Sequence, residues 1–172
     1  MTAVKSGLMI IDQHRASVRV LYEKYMSQFD KHVTSTQKLL FPETVQLSPA
    51  NTVTMQQLLP ELSAIGFDLS DLGGNTYAVN GMPAGLEGLS PQSLLLDMVA
   101  STSASDSLAD IHSSLALRLA QSAAIPYGHI LNNDEMEGLI NDLFVCSNVN
   151  YTPDGKAVLC ILPQSDIEHL LG

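Results

Sequence analysis

Asp12, Gln13 and His14 stand together where a short apolar run ends and an amphipathic pattern begins. A carboxylate and an imidazole at such a junction are donors of the kind that hold Zn²⁺ or Mn²⁺, ions that accept mixed oxygen and nitrogen sets. Glu23 adds a second carboxylate further along. Nine residues, or two and a half helical turns, separate it from His14, which places it roughly 13 Å along the axis and on a different face. The spacing therefore does not close a site by itself. Asp12 reads equally as an N-cap, and His14 as a polar residue of the first turn. His32, His112, His129 and His169 have no neighbour at ligand spacing and read as surface or partly buried structural residues. No G-x-S-x-G is present, and Gly73-Gly74 lacks the Lys-Ser or Lys-Thr of a phosphate loop, so neither a serine nucleophile nor an ATP site is legible.

The elements that must position these residues can be read from periodicity. Gly7-Leu8-Met9-Ile10-Ile11 is predicted to be a buried strand. Val18, Leu21, Tyr22, Tyr25 and Phe29 recur at threes and fours, which predicts a helix over residues 13–31. Lys38-Leu39-Leu40-Phe41 and Val45-Gln46-Leu47 flank Pro42, giving an extended stretch broken at the proline or placed at a sheet edge. A helix capped by Ser48 or Asn51 then runs to Gly66, with Pro60 able to kink it. Gly73-Gly74-Asn75 between two short strands is the strongest hairpin signal. Pro91 opens a helix to about Ala100, and Ser101-Thr102-Ser103-Ala104-Ser105-Asp106-Ser107 reads as a flexible connection. Helices near 111–123 and 134–145, a strand over 157–162 and a terminal helix over 166–171 capped by Ser165 complete an α+β pattern. The middle section, 50–109, has the length of an inserted subdomain, with 1–49 and 110–172 forming the other.

Composition bounds the function. A chain of 172 residues with 45% hydrophobic residues can close a core. No apolar run reaches the roughly 20 residues of a bilayer span, and residues 1–7 lack the layout of a signal peptide, so the chain reads as cytoplasmic with no membrane partner. Cys146 and Cys160 lie in apolar settings and are expected to be buried free thiols. The net charge of −10 opposes a phosphate backbone, so DNA is expected to be engaged only weakly and indirectly. Without tryptophan or a basic patch interleaved with aromatics, no stacking platform for single strands is expected either.

Three stretches, in order, resemble the C-terminal dimerisation domain of the MutL family of bacterial mismatch-repair proteins. Gly7 to His14 is similar to the strand and turn that carry the family's D-Q-H-A-x-x-E-x-x-x-x-E nuclease motif. Gln37-Lys38-Leu39-Leu40-Phe41-Pro42 fits the Q-x-x-L-x-P motif by which such domains engage the sliding clamp, with Gln37, Leu40, Phe41 and Pro42 as the binding residues. Leu62 to Pro83, with Gly66-Phe67 and Tyr77-Ala78-Val79-Asn80-Gly81-Met82-Pro83, resembles the family's inserted regulatory subdomain. The resemblance runs from about Val4 to Ile167 and implies a MutL C-terminal-like α+β fold, with a dimerisation subdomain and an inserted regulatory one.

What it implies chemically is uneven. Asp12, Gln13, His14 and Glu23 match the nuclease motif, but Arg15 and Val18 stand in place of its alanine and first glutamate. Gln121 takes the place of a cysteine ligand, and the family's C-P-H-G-R-P reads Thr152-Pro153-Asp154-Gly155-Lys156-Ala157. Neither glutamine nor threonine presents a charged soft donor. A divalent metal is therefore not expected, and Asp12, His14, Glu23 and Asp154 remain as degenerate metal candidates. The leading expectation is an assembly module: a homodimer that contacts the sliding clamp and other mismatch-repair proteins. The rival is a residual metal-dependent nicking endonuclease using those four residues. A small-molecule sensor fits the charge but none of the three stretches. The resemblance further implies an N-terminal ATPase domain, where ATP would bind, so the 172 residues read as part of a longer chain. The family's aromatic and basic tail is not seen before Gly172: either it is lost or the fragment stops short of it.

Overall fold

The computed structural model describes residues 2–4, 7–32, 35–103 and 105–172, the first three as backbone only. Lys5 and Ser6 of the N-terminal stretch and Ala104 of the serine-rich connection lie outside them. The chain divides into two compact units, Met1–Tyr22 with Ala124–Gly172, and Glu23–Ala123.

The first unit holds strands β1 (Thr2–Val4), β2 (Gly7–Ile11) and β6 (Leu159–Pro163) in an antiparallel sheet of order β1-β2-β6. Helix α1 (Gln13–Lys31) starts directly after β2, and the unit boundary at Tyr22 falls inside it. Its first half packs on α5 (Asn133–Val145) around Ala16, Leu143 and Val158, with Ile11, Val20, Leu139 and Val149 partly buried against them. α5 begins where it does because Asn132 and Glu135 form a reciprocal capping box that satisfies orphan amides at the helix start. α6 (Gln164–Leu171) follows β6, with Pro163 at its cap position and no side-chain cap bond, so the expected Ser165 cap is not made. A proline ahead of the first turn fixes the entry without one.

The second unit holds β3 (Thr36–Gln46), β4 (Asp68–Gly73) and β5 (Thr76–Pro83) in the order β3-β5-β4. β5 is central and buried along most of its length, whereas β3 is an edge strand and almost wholly exposed. Gly74 and Asn75 turn the β4–β5 hairpin with positive φ of 58° and 61°, as a tight primed turn requires. α2 (Pro49–Ala64), capped by Ser48, α3 (Pro91–Ala100) and α4 (Leu108–Ala123) supply a core that includes Leu58, Leu62, Leu95, Met98 and Leu115. Pro60 lies inside α2 without ending it; Leu58 and Leu62 on either side are fully buried, and that packing outweighs the lost backbone bond.

The units divide at 22/23 and 123/124, because β3 pairs with β5 and α4 packs on α3. Several expectations about single elements are corrected. β2 is only half-buried, with Ile10 37% exposed, and β1 carried no signal in the sequence. Cys146 is half-buried and Cys160 exposed: the apolar runs around them belong to a helix end and to a sheet that no other element fully covers. The strand predicted over 157–162 is Leu159–Pro163, Ala157 making only an isolated bridge to Tyr151.

Candidate functional site

At the start of α1, Asp12 does the work of a cap. One carboxylate oxygen accepts the Arg15 backbone N–H at 3.0 Å, while the other lies 3.5 Å from the Arg15 guanidinium. That guanidinium also donates to the Ala157 carbonyl at 2.9 Å, and Asp12 N–H donates to the Val158 carbonyl at 2.9 Å. Arg19 Nε reaches the Tyr151 carbonyl at 2.8 Å, so two arginines on successive turns hold the 151–158 segment against α1. His14 Nδ1 lies 2.8 Å from the Ile125 carbonyl, and because a carbonyl only accepts, Nδ1 carries the proton. Its ring lies against Tyr127 with centroids 4.2 Å apart.

Asp154 sits in the turn between Tyr151 and Ala157, 3.2 Å from the Lys156 ammonium. A hydrogen bond from Thr152, and then the contact with Lys156, hold its carboxyl below the ordinary value. Thr152 is buried, and its hydroxyl accepts the Lys156 N–H at 2.9 Å. These groups have partners within the chain. Asp12 and Asp154 each face a protein cation, and Thr152 is engaged within its own turn. Glu23 lies further along α1 and Gln121 in α4, both in the second unit. Among the described residues, no three His, Cys, Asp or Glu side chains form a group able to hold an ion. Arg15 is the residue whose role was missed, although its place three positions after Asp12 was a visible signal.

His112, expected to be isolated, instead stacks on Phe29 with centroids 4.0 Å apart and bonds to Glu61, joining α1, α2 and α4 in the second unit. It is a structural histidine.

The residues of the Gln37 motif are placed differently. β3 pairs with β5 as far as Lys38↔Gly81 and resumes only at Glu43↔Val79. Between these points Leu39, Leu40, Phe41 and Pro42 leave the ladder, with Leu40 93% and Phe41 84% exposed. Gln37, still opposite Met82, anchors the near end of the bulge. The bulge and the loop before α3 line a cleft of about 390 Å³ whose walls include Leu39, Met82, Leu86 and Leu89.

A third feature is the sheet of the first unit. Opposed residues of an antiparallel ladder share a face, and successive residues alternate. Leu8↔Leu162 and Ile10↔Cys160 therefore lie on one face, and Met9↔Ile161 and Ile11↔Leu159 on the other. By this register Leu8 and Ile10 lie on the face opposite to Leu159 and Ile161. Ile11 is packed on the core, while Ile10 and Cys160 on one face and Ile161 on the other are left exposed.

Comparison with known proteins bears on these features together. The family model described as the MutL C terminal dimerisation domain matches residues 2–131, about three-quarters of the chain. The chain belongs to the MutL C-terminal dimerisation domain family. It is 46% identical over 172 residues to the DNA mismatch repair protein MutL of Bacteroides fragilis, covering 99% of this chain and 28% of that protein. The MutL of Phocaeicola vulgatus gives the same 46% identity and the same coverage, and that of Geobacter sulfurreducens 36% over 168 residues, covering 96% of this chain and 28% of the relative. The chain thus spans a little over a quarter of the length of the relatives it matches. No helix among the described residues is long and apolar enough to cross a membrane.

Proposed function

We propose that this chain is the homodimerisation module of a MutL protein acting in DNA mismatch repair, where it couples mismatch recognition to downstream strand processing. The family match supports this reading, and the incompletely covered sheet face supplies its physical basis. Ile10 and Cys160, opposed in register and exposed, would be desolvated by an identical face related by a two-fold axis, which makes the contact self-complementary. Light scattering is expected to give twice the 18.5 kDa chain mass at micromolar concentration. A charge at the centre of that face, Ile10→Asp, is expected to return the chain to monomer mass. A wild type of 18.5 kDa at every concentration defeats the reading.

The second part of the reading is contact with the sliding clamp through Gln37, Leu40, Phe41 and Pro42. Its support is the bulge: large apolar side chains held in solvent by an anchored strand are suited to enter a partner's groove. DNA is engaged indirectly, through partners, given the −10 charge. ATP binding and contacts with other mismatch-repair proteins belong to the longer protein. The rival endonuclease reading is not favoured, since Arg15 and Lys156 occupy the carboxylates it would need.

A further inference from the structure

We propose that Gly81 is a positioning residue that sets the display of residues 37–42 on β3. The functional purpose of that display rests on the clamp reading above, while the geometry stands independently of it.

Gly81 lies on the central strand, opposite Lys38 of β3 on one side and Asp68 of β4 on the other. Both ladders lose register at this level, β3 between Lys38 and Glu43 and β4 between Asp68 and Leu69. From the Lys38↔Gly81 pair to the Glu43↔Val79 pair, β3 advances five residues while β5 advances two, so three residues of β3 are in excess. The excess falls within Leu39-Leu40-Phe41-Pro42, with Leu40 and Phe41 thrown outward into solvent.

What permits this is the missing side chain. A Cβ on Gly81 would lie 2.8 Å from Thr36 Cγ2, 3.1 Å from the Gln37 carbonyl oxygen and 3.3 Å from Asp68 Cβ. Gly81 is not among the residues with positive φ, so space alone demands glycine here. The two closest of those atoms belong to the stretch that anchors the motif. A side chain at 81 must displace the Thr36 methyl and make the Gln37 backbone give by a few tenths of an ångström, which loosens the register that fixes Gln37 relative to Leu40 and Phe41. A peptide held in one register loses less conformational freedom on docking, so the close approach at Gly81 strengthens binding without touching the partner.

The experiment compares wild type, Gly81→Ala and the double variant Thr36→Ser/Gly81→Ala, the last removing the methyl group of the shortest contact. Hydrogen exchange reads the anchor directly, and titration with purified sliding clamp reads its consequence. In Gly81→Ala, exchange over residues 36–38 is expected to rise about tenfold and clamp affinity to fall about tenfold, with protection over residues 44–46 unchanged. The double variant is expected to recover at least half of both changes, and it carries the test should Gly81→Ala alone be too unstable to measure. Unchanged exchange over 36–38 in Gly81→Ala, or no recovery in the double variant, overturns the role of Gly81. Exchange that responds as expected in a wild-type chain that does not bind the clamp supports the role of Gly81 in shaping the bulge and overturns the clamp reading instead.

Discussion

The start of α1 and the bulge of β3 both resemble motifs of one family, and the structure treats them in opposite ways. At Asp12 and His14 the chemical groups are turned inward: the carboxylate caps a helix and pairs with Arg15, and the imidazole donates to a backbone carbonyl. At Leu40 and Phe41 they are turned outward, unpaired in the ladder and in water. Desolvated or paired groups are costly to withdraw, whereas exposed apolar side chains gain by finding a partner.

The largest effect that can break this contrast lies at the bulge. Leu40→Ala/Phe41→Ala is expected to weaken clamp binding by about thirtyfold or more, as for the loss of buried anchors at an interface. Its melting temperature should match wild type, because neither side chain packs on its own chain. A melting temperature well below wild type would show that the pair is structural.

The converse holds at α1. Arg15→Ala removes the partner of Asp12 and the bond to Ala157, and urea unfolding should show a loss of about 1 kcal/mol, since the ion pair is partly exposed. Clamp affinity should not move. An unchanged unfolding midpoint would mean that Arg15 holds nothing.

A smaller effect comes from Asp154. Its folded carboxyl is held below the ordinary value by Thr152 and then Lys156, so the stabilisation is present at neutral pH and fades as pH falls through that lowered value. The wild-type advantage over Asp154→Asn, measured by thermal melts across a pH series, should therefore vanish on the acid side. An advantage that grows with acidity would reverse the assignment.

Much of this was legible in the sequence, for identifiable reasons. The α1 periodicity, the Gly74-Asn75 turn and the Ser48 cap are local signals, and each element formed where its residues placed it. The extended stretch interrupted at Pro42 was equally visible. What escaped notice depends on pairing between distant segments. The split of Leu8 and Ile10 from Leu159 and Ile161 follows from register, the grouping of β3 with the middle unit follows from its ladder with β5, and the tightness at Gly81 exists only once two strands flank it. The role of Arg15 stood between, since its spacing from Asp12 was visible but its reach to Ala157 was not.

Assembly without nuclease chemistry is the role proposed for this chain, the groups at the start of α1 serving the fold instead. Nicking of supercoiled plasmid by the full-length protein with Mn²⁺ tests it most directly, run beside an Asp12→Asn variant. Plasmid is expected to stay supercoiled with both proteins; nicking by the wild type that Asp12→Asn abolishes would show that the motif still does chemistry.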